Sequence, residues 1–264
     1  MVAIGTHDLD TLKPPFRYDA RRPVDIKFKP LNQTNEFTAP ELMELYSVSL
    51  RLKTNFFIEL YYSFKKEGHL KPYLPIIQDK EFYPVIYDSA DVLLSLPPII
   101  NGDHSKITLD TKNVFIECTA TDLHKAEIVL DTMVTMFSQY CEPKFQVEAV
   151  EVSYANGKKV NEIYPKLHKR LETLDVENTN KRVGIDISAA DMAKLLRKMG
   201  LNTQVKSDRE LSVEIPPTRS DVIHVCDLIE DVAISYGYNK IDKTVPKTNC
   251  FSAEVSLNLE NEEK

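Results

Sequence analysis

Hydrophobic and polar positions change period several times along the chain, and each change marks an element. FYPVIYDSADVLLSLPPII (82–100) predicts two strands around a turn at Asp88–Asp91, closed by the pair Pro97-Pro98, and Asn101-Gly102 signals a further turn. NVFIECTATD (113–122) reads as a strand ending at a Thr/Asp cap. The helix behind it runs to about Tyr140 and is expected to bury Ala126, Val129, Leu130, Met133 and Phe137. FQVEAVEVSY (145–154) predicts another strand, with a bulge where its phase changes near Ala149 and Val150. Upstream, residues 1–37 are rich in proline and charge, with short extended pieces. Thr38-Ala39-Pro40-Glu41 is a capping box with proline inside it, opening a helix through Leu42, Leu45 and Tyr46. Strand, helix and strand in this order predict an α+β domain with a mixed sheet.

A polar, charged stretch at 156–180 reads as a linker to a second, smaller unit. There Ser188 caps a helix carrying Met192, Leu195, Leu196 and Met199, closed by Gly200. LNTQV and ELSVEI form a hairpin turning at Ser207–Arg209. Pro216 and Pro217 stop the second strand. A last helix is capped by Ser220 or Asp221. Its apolar stripe is Val225, Leu228, Ile229, Val232, Ala233 and Tyr236, with Gly237 as the C-terminal stop.

That helix also holds the densest chemistry in the chain. At about 100° per residue, Asp227, Glu230 and Asp231 fall together opposite the apolar stripe, and Asp221 precedes the first turn. Two readings fit: a solvated face of an amphipathic helix, or a hard-cation site, since Mg²⁺ takes oxygen ligands and is often held by one or two carboxylates. Asp221 could join such a site only if the chain folds back.

A second group lies on the strand 113–122. Side chains alternate there, so Phe115, Glu117 and Thr119 share one face. A carboxylate between apolar strand residues fits either an edge strand facing water or a pocket that reads a polar group on an otherwise apolar ligand. Ser95 lies at the end of a neighbouring predicted strand, and Lys106 could supply charge at the rim. His104, in the loop NGDHSK, reads as a loop histidine or a catalytic one.

Composition narrows the field. The chain has 264 residues, 42% of them hydrophobic, enough for two cores. With 33 basic and 40 acidic residues its net charge is −7, which argues against a stand-alone nucleic-acid binder; any RNA contact must be local or shared with a partner. The cysteines Cys118, Cys141, Cys226 and Cys250 have no zinc spacing, and with no signal peptide they are expected to be reduced thiols of a cytoplasmic protein. No apolar run is long enough for a membrane span. P-loop, dinucleotide, GxSxG and HExxH motifs are absent from the sequence.

Four stretches carry a resemblance: AIGTHDLDTL (3–12), YPVIYDSADVLLSLPPIINGDHSKIT (83–108), NVFIECTATDLHKAEIVLDTMVTMFSQYC (113–141) and IPPTRSDVIHVCDLIEDVAISYGYNKI (215–241). Together they resemble the β subunits of cytosolic phenylalanyl-tRNA synthetases of the eukaryotic and archaeal type. The resemblance implies an extended segment at 1–37, a B3/B4 editing domain at 38–170 and a B5 domain with a DNA-binding-like fold at 178–246. It also implies assembly with an α subunit into an (αβ)₂ tetramer that aminoacylates tRNA-Phe with ATP. The editing domain would hydrolyse mischarged Tyr-tRNA-Phe. In it Glu117 would accept the phenol proton of tyrosine, Ser95 and Thr119 would fix the ligand, and Lys106 would orient the tRNA end. On B5, Asp221, Asp227, Glu230 and Asp231 would hold Mg²⁺ near the contact with α. The family's acidic position is often aspartate; glutamate keeps the charge and adds a methylene. No side chain presents itself as a nucleophile, so a positioned water is the expected attacking group.

The chain departs from the family in three places. It begins inside the family's sequence, it carries an insertion near 47–64 rich in Phe and Tyr, and after Lys247 the pattern gives way to an acidic tail at 247–264. These features suggest a partial β subunit. A non-catalytic scaffold that binds the α subunit or RNA is the alternative.

Overall fold

The computed structural model describes residues 1–47, 68–154 and 161–243. The chain divides into two compact units, Met1–Leu167 and His168–Lys264.

In the first unit, strand β1 (Val2–Asp8) pairs antiparallel with a strand more than a hundred residues away, described below, and is followed by β2 (Arg17–Arg21), β3 (Lys27–Phe28) and β4 (Phe37–Thr38). Helix α1 (Ala39–Ser47) starts at the expected box: the Thr38 backbone N–H and hydroxyl both donate to Glu41 Oε2 at 2.8 Å. It buries Ala39, Leu42, Met43 and Tyr46 against Ile26, Phe28, Leu74 and Val85. The insertion near 47–64 lies outside the described residues beyond Ser47.

Strands β5 (Tyr83–Tyr87), β6 (Leu93–Leu96) and β7 (Ile100–Asn101) extend β2 into a four-stranded sheet of order β2-β5-β6-β7. The turn between β5 and β6 is organised by buried Asp88, whose Oδ1 accepts from the N–H groups of Ala90 and Val92 at 2.8 Å while Oδ2 accepts from Lys13 N at 3.1 Å. Gly102 follows because a Cβ there would stand 2.5 Å from Leu93 O. Strand β8 (Val114–Ala120) is the partner of β1, and helix α2 (Leu123–Ser138) starts at Asp122, whose side chain accepts from Lys125 N. Two short strands, β9 (Val150–Val152) and β10 (Glu162–Tyr164), pair with each other.

Three expectations change here. Helix α2 buries Asp131, Val134 and Ser138, with Ala126, Val129, Leu130 and Met133 half-buried, while Phe137 is exposed. The buried line is displaced by one residue because Asp131 turns inward, where its Oδ2 accepts from Leu167 N at 3.1 Å. Residues 145–149 are outside any strand, so no bulge forms at Ala149; the register shift observed is between Ile86 and Tyr87. Every described strand pairing is antiparallel, so the expected mixed sheet is an antiparallel one within the α+β class.

Among its described residues the second unit has a three-stranded antiparallel sheet of order β11-β13-β12, from β11 (Arg170–Asp175), β12 (Asn202–Val205) and β13 (Glu210–Ile215), with helices α3 (Val176–Val183), α4 (Ala189–Lys198) and α5 (Val225–Tyr236). Alternation in ELSVEI buries Leu211, Val213 and Ile215, which pack with Met192, Leu196, Leu228 and Val232. The stretch 156–180 is therefore more than a linker, since it contains β10, β11 and half of α3. Its polarity reflects an edge strand and an exposed helix face.

Candidate functional site

The antiparallel register of β1 and β8 sets Gly5 opposite Glu117, His7 opposite Phe115 and Ala3 opposite Thr119. Cross-strand partners share a face, so Gly5, His7, Phe115, Glu117 and Thr119 project together. Ser95 comes from β6 in the other sheet, where LLSL is buried at all four positions. Its hydroxyl donates to Glu117 Oε1 at 3.0 Å. Glu117 is thereby drawn inward: its side chain is 9% exposed, and Oε2 is buried with no hydrogen-bond partner among the described residues.

His7 was not anticipated. It is fully buried, shares a 2.7 Å hydrogen bond between Nδ1 and Ser105 Oγ, and holds Nε2 3.9 Å from Glu117 Oε1. Nε2 also has no hydrogen-bond partner among the described residues. The carboxylate and the imidazole both crowd Gly5, where a Cβ would stand 2.5 Å from Glu117 Oε1 and 2.9 Å from His7 Nε2. Ser105 is fixed by its own backbone, whose carbonyl accepts from Asp8 N at 2.8 Å. Aromatic and aliphatic groups adjoin the cluster: Phe115 packs against Phe16 with centroids 4.4 Å apart and ring planes tilted by 34°, and it packs with Leu12, Ile86 and Leu94. Burial first, and the Glu117 charge second, raise the pKa of the Tyr18 phenol.

Ser95 and Glu117 thus meet, and Thr119 lies two residues along on the same face of β8. Lys106 stands apart: it is exposed and its Nζ donates to Asn32 Oδ1 at 2.7 Å, while its neighbour Ser105 is the residue of that loop that reaches the cluster. His104 is exposed and its Nε2 shares a 2.9 Å hydrogen bond with Thr11 O.

The same environment controls a thiol. Burial and then the Glu117 charge push Cys118 up to about 11. Because the thiolate is the nucleophile, maleimide at neutral pH is expected to label the exposed Cys141 and Cys226 first and Cys118 only on unfolding. Peptide mapping against time checks this, and simultaneous labelling of all three would show that Cys118 is not sheltered.

On the second unit the four acids are engaged separately. The N-cap of α5 is His224, three residues past Asp221 and not the expected Ser220 or Asp221, because Asp227 Oδ2 accepts from the N–H groups of Ile223 and His224 at 2.7 Å. Those two bonds hold the Asp227 carboxyl below the usual range. Asp231 is buried, against the expectation that it shares a solvated face, and Arg219 Nη2 donates to its Oδ2 at 2.7 Å. The same guanidinium donates to Asp221 Oδ2 at 2.7 Å and, through Nη1, to Met199 O at 2.7 Å. Glu230 is exposed. Among the described residues no group of three or more His, Cys, Asp or Glu side chains stands in position to hold a metal ion. As arranged here the four acids do not fit Mg²⁺: Arg219 fills the space between Asp221 and Asp231, and Asp227 is committed to the helix start.

Comparison with known proteins places these features. The B3/4 domain family matches residues 1–151, and the tRNA synthetase B5 domain family matches residues 172–238. The chain is 53% identical over 259 residues to the human phenylalanine–tRNA ligase beta subunit, covering 98% of this chain and 41% of that protein. It is 48% identical over 250 residues to the Arabidopsis thaliana protein named phenylalanine–tRNA ligase beta subunit, cytoplasmic, covering 93% of this chain and 38% of that one. It therefore spans about two fifths of the length of these relatives. The crystal structure of an N-terminal fragment of the phenylalanyl-tRNA synthetase beta subunit from Pyrococcus horikoshii superposes with a TM-score of 0.70 at 32% identity, covering 90% of this chain and 60% of that one. A B3/4 match over more than half of the residues, a B5 match behind it and identities at this level show that the chain belongs to the phenylalanine–tRNA ligase β-subunit family.

Proposed function

We propose that this chain supplies the editing part of a cytoplasmic phenylalanine–tRNA ligase, acting with an α subunit in an (αβ)₂ assembly and hydrolysing Tyr-tRNA-Phe. The observation that carries the reading is the Ser95–Glu117 hydrogen bond, 3.0 Å, which orients a buried carboxylate with one oxygen still unpartnered among the described residues. A synthetic site for phenylalanine cannot strongly reject an isostere that merely gains a hydroxyl, so tyrosine enters at about one part in 10². A second site reverses the preference if it offers a buried acceptor for that hydroxyl. Tyrosine satisfies it, whereas phenylalanine leaves a charged oxygen desolvated and unpaired.

In this scheme Glu117 Oε2 accepts the phenol proton, Ser95 holds the carboxylate in place and Thr119 lines the approach along the same face of β8. Lys106, on an exposed loop, meets the tRNA backbone, where a lysine contributes charge without sequence readout. Ester cleavage is left to a water positioned by the bound substrate and its ribose hydroxyl, with proximity as the source of the acceleration. The B5 unit serves as the docking module towards α; Mg²⁺ would join it only in an assembly that draws Arg219 away from Asp221 and Asp231.

The experiment is deacylation of Tyr-tRNA-Phe by the chain alone and with the α subunit, beside Glu117→Ala. Rate is expected to fall roughly tenfold to a hundredfold in the variant, the range for losing a charged hydrogen bond, with tRNA binding unchanged. No hydrolysis by the folded parent chain in either setting would reject the reading in favour of a binding scaffold.

A further inference from the structure

We propose that His7 is a second reader of the substrate hydroxyl, so that the phenol is held between an acceptor and a donor. The proposal rests on the tyrosine-hydrolysis reading above and adds a residue to it. His7 Nε2 and Glu117 Oε2 are both buried and both lack a hydrogen-bond partner among the described residues. Two such atoms at one place are costly, since each buried unsatisfied polar group loses its hydration without return. Nε2 stands 3.9 Å from Glu117 Oε1, the oxygen that Ser95 already holds, too far for a hydrogen bond, so the imidazole and the carboxylate adjoin without satisfying each other.

The assignment of proton positions follows from the surroundings. Glu117 Oε1 already accepts from Ser95, so Oε2 is the oxygen open to a new donor. Nδ1 of His7 is paired with Ser105 Oγ at 2.7 Å. When the Ser105 hydroxyl donates to Nδ1, the imidazole carries its proton on Nε2. A phenol then donates to Glu117 Oε2 and accepts from His7 Nε2–H, and both vacant valences are filled by one group. A methyl or bare ring edge fills neither. The Phe115 ring, 6.4 Å from the His7 ring and packed against Phe16, offers an apolar neighbour to the ring that carries the hydroxyl. Gly5 holds the arrangement open, because any Cβ there displaces one of the two readers.

The test uses the full chain labelled with ¹⁵N-histidine, with tyrosinol and phenylalaninol as probes, together with deacylation by His7→Asn and His7→Gln. Asparagine keeps a polar group near the Nδ1 position facing Ser105 and removes the group facing Glu117; glutamine reaches the Nε2 position. Tyrosinol, and not phenylalaninol, is expected to shift the His7 Nε2 resonance. His7→Asn should lose roughly tenfold to a hundredfold in Tyr-tRNA-Phe hydrolysis, the cost of an unmet buried partner, and His7→Gln should recover part of it. A parent chain that hydrolyses Tyr-tRNA-Phe, loses activity in Glu117→Ala, and shows neither a His7 shift nor a loss in folded His7→Asn would overturn the role of His7 and leave the editing reading standing. A parent chain without hydrolysis overturns the editing reading; a tyrosinol-specific His7 shift in that same chain would still support the hydroxyl niche, and no shift would reject it. Should His7→Asn fail to fold, the resonance of the parent protein decides.

Discussion

Replacing Arg219 by methionine is expected to destabilise the second unit by roughly 3–5 kcal/mol, the range for stranding one member of a buried ion pair. Asp231 is 5% exposed and Arg219 is its side-chain partner, at 2.7 Å. Methionine fills much of the same volume but leaves that carboxylate in the core without a counter-charge. The cost is larger than for the outer partner, since Asp221 is 63% exposed at its side chain and water replaces the lost bond there. The guanidinium also ties Met199 O, at the end of α4, to the start of α5, so the variant loosens the junction of two helices that share the core. Hydrogen exchange at the amides of Leu228 and Val232 follows this unit without assuming that the whole chain unfolds in one step. The double variant Arg219→Met, Asp231→Leu is expected to recover most of the loss, because an apolar pair of similar volume removes the desolvation penalty. A single variant within about 1 kcal/mol of the parent, the range for an exposed pair, would mean that Asp231 is hydrated and that the pair is not structural.

The contrast between what pattern reading reaches and what it misses is sharp on helix α5. Its apolar stripe and its stop at Gly237 are fixed by period and by backbone conformation, φ +101° at that glycine, and both are visible in one dimension. The start is not, because Asp227 reaches back to capture two N–H groups and moves the cap to His224. Asp231 projected onto the polar side of a helical wheel, yet it is buried, because a loop arginine arrives to neutralise it. A wheel records direction around one axis and carries no information about what is delivered from elsewhere. Turns behave oppositely. Asp88, Thr38 with Glu41, and Ser188 all act within four residues of themselves, except for the Asp88 bond to Lys13, and their positions agree with expectation.

The site divides in the same way. Glu117 and Thr119 share a face by strand alternation alone, and Ser95 follows from the neighbouring strand. His7 sits in a plain-looking strand, and nothing local marks it. Only the pairing of β1 with β8, across more than a hundred residues, turns Gly5 and His7 towards Glu117. The available signal was the glycine: an unbranched gap inside a strand marks a close approach by another group. Lys106 stands out in the sequence by its charge, while the uncharged Ser105 beside it makes the buried contact.

That glycine carries the other large expected effect. Gly5→Val should lower Tyr-tRNA-Phe hydrolysis by roughly 10²-fold, the scale on which a shift of about 1 Å in a positioned group costs rate. Valine suits a strand better than glycine does, so the β1–β8 pairing should be kept or strengthened and the loss assigned to the site. The physical cause is a Cβ set 2.5 Å from Glu117 Oε1 and 2.9 Å from His7 Nε2. The carboxylate must move, its bond to Ser95 is disturbed, and the two side chains no longer meet one hydroxyl. Selectivity should fall with rate: the preference for Tyr-tRNA-Phe over Phe-tRNA-Phe narrows because the reader of the hydroxyl is what is displaced. Gly5→Ala has the same Cβ without the branches and should show the same direction with a smaller loss. The check is single-turnover deacylation of both charged tRNAs beside amide exchange along β1. A folded Gly5→Val chain that hydrolyses Tyr-tRNA-Phe at the parental rate would place the hydroxyl elsewhere and remove Glu117 and His7 from recognition together.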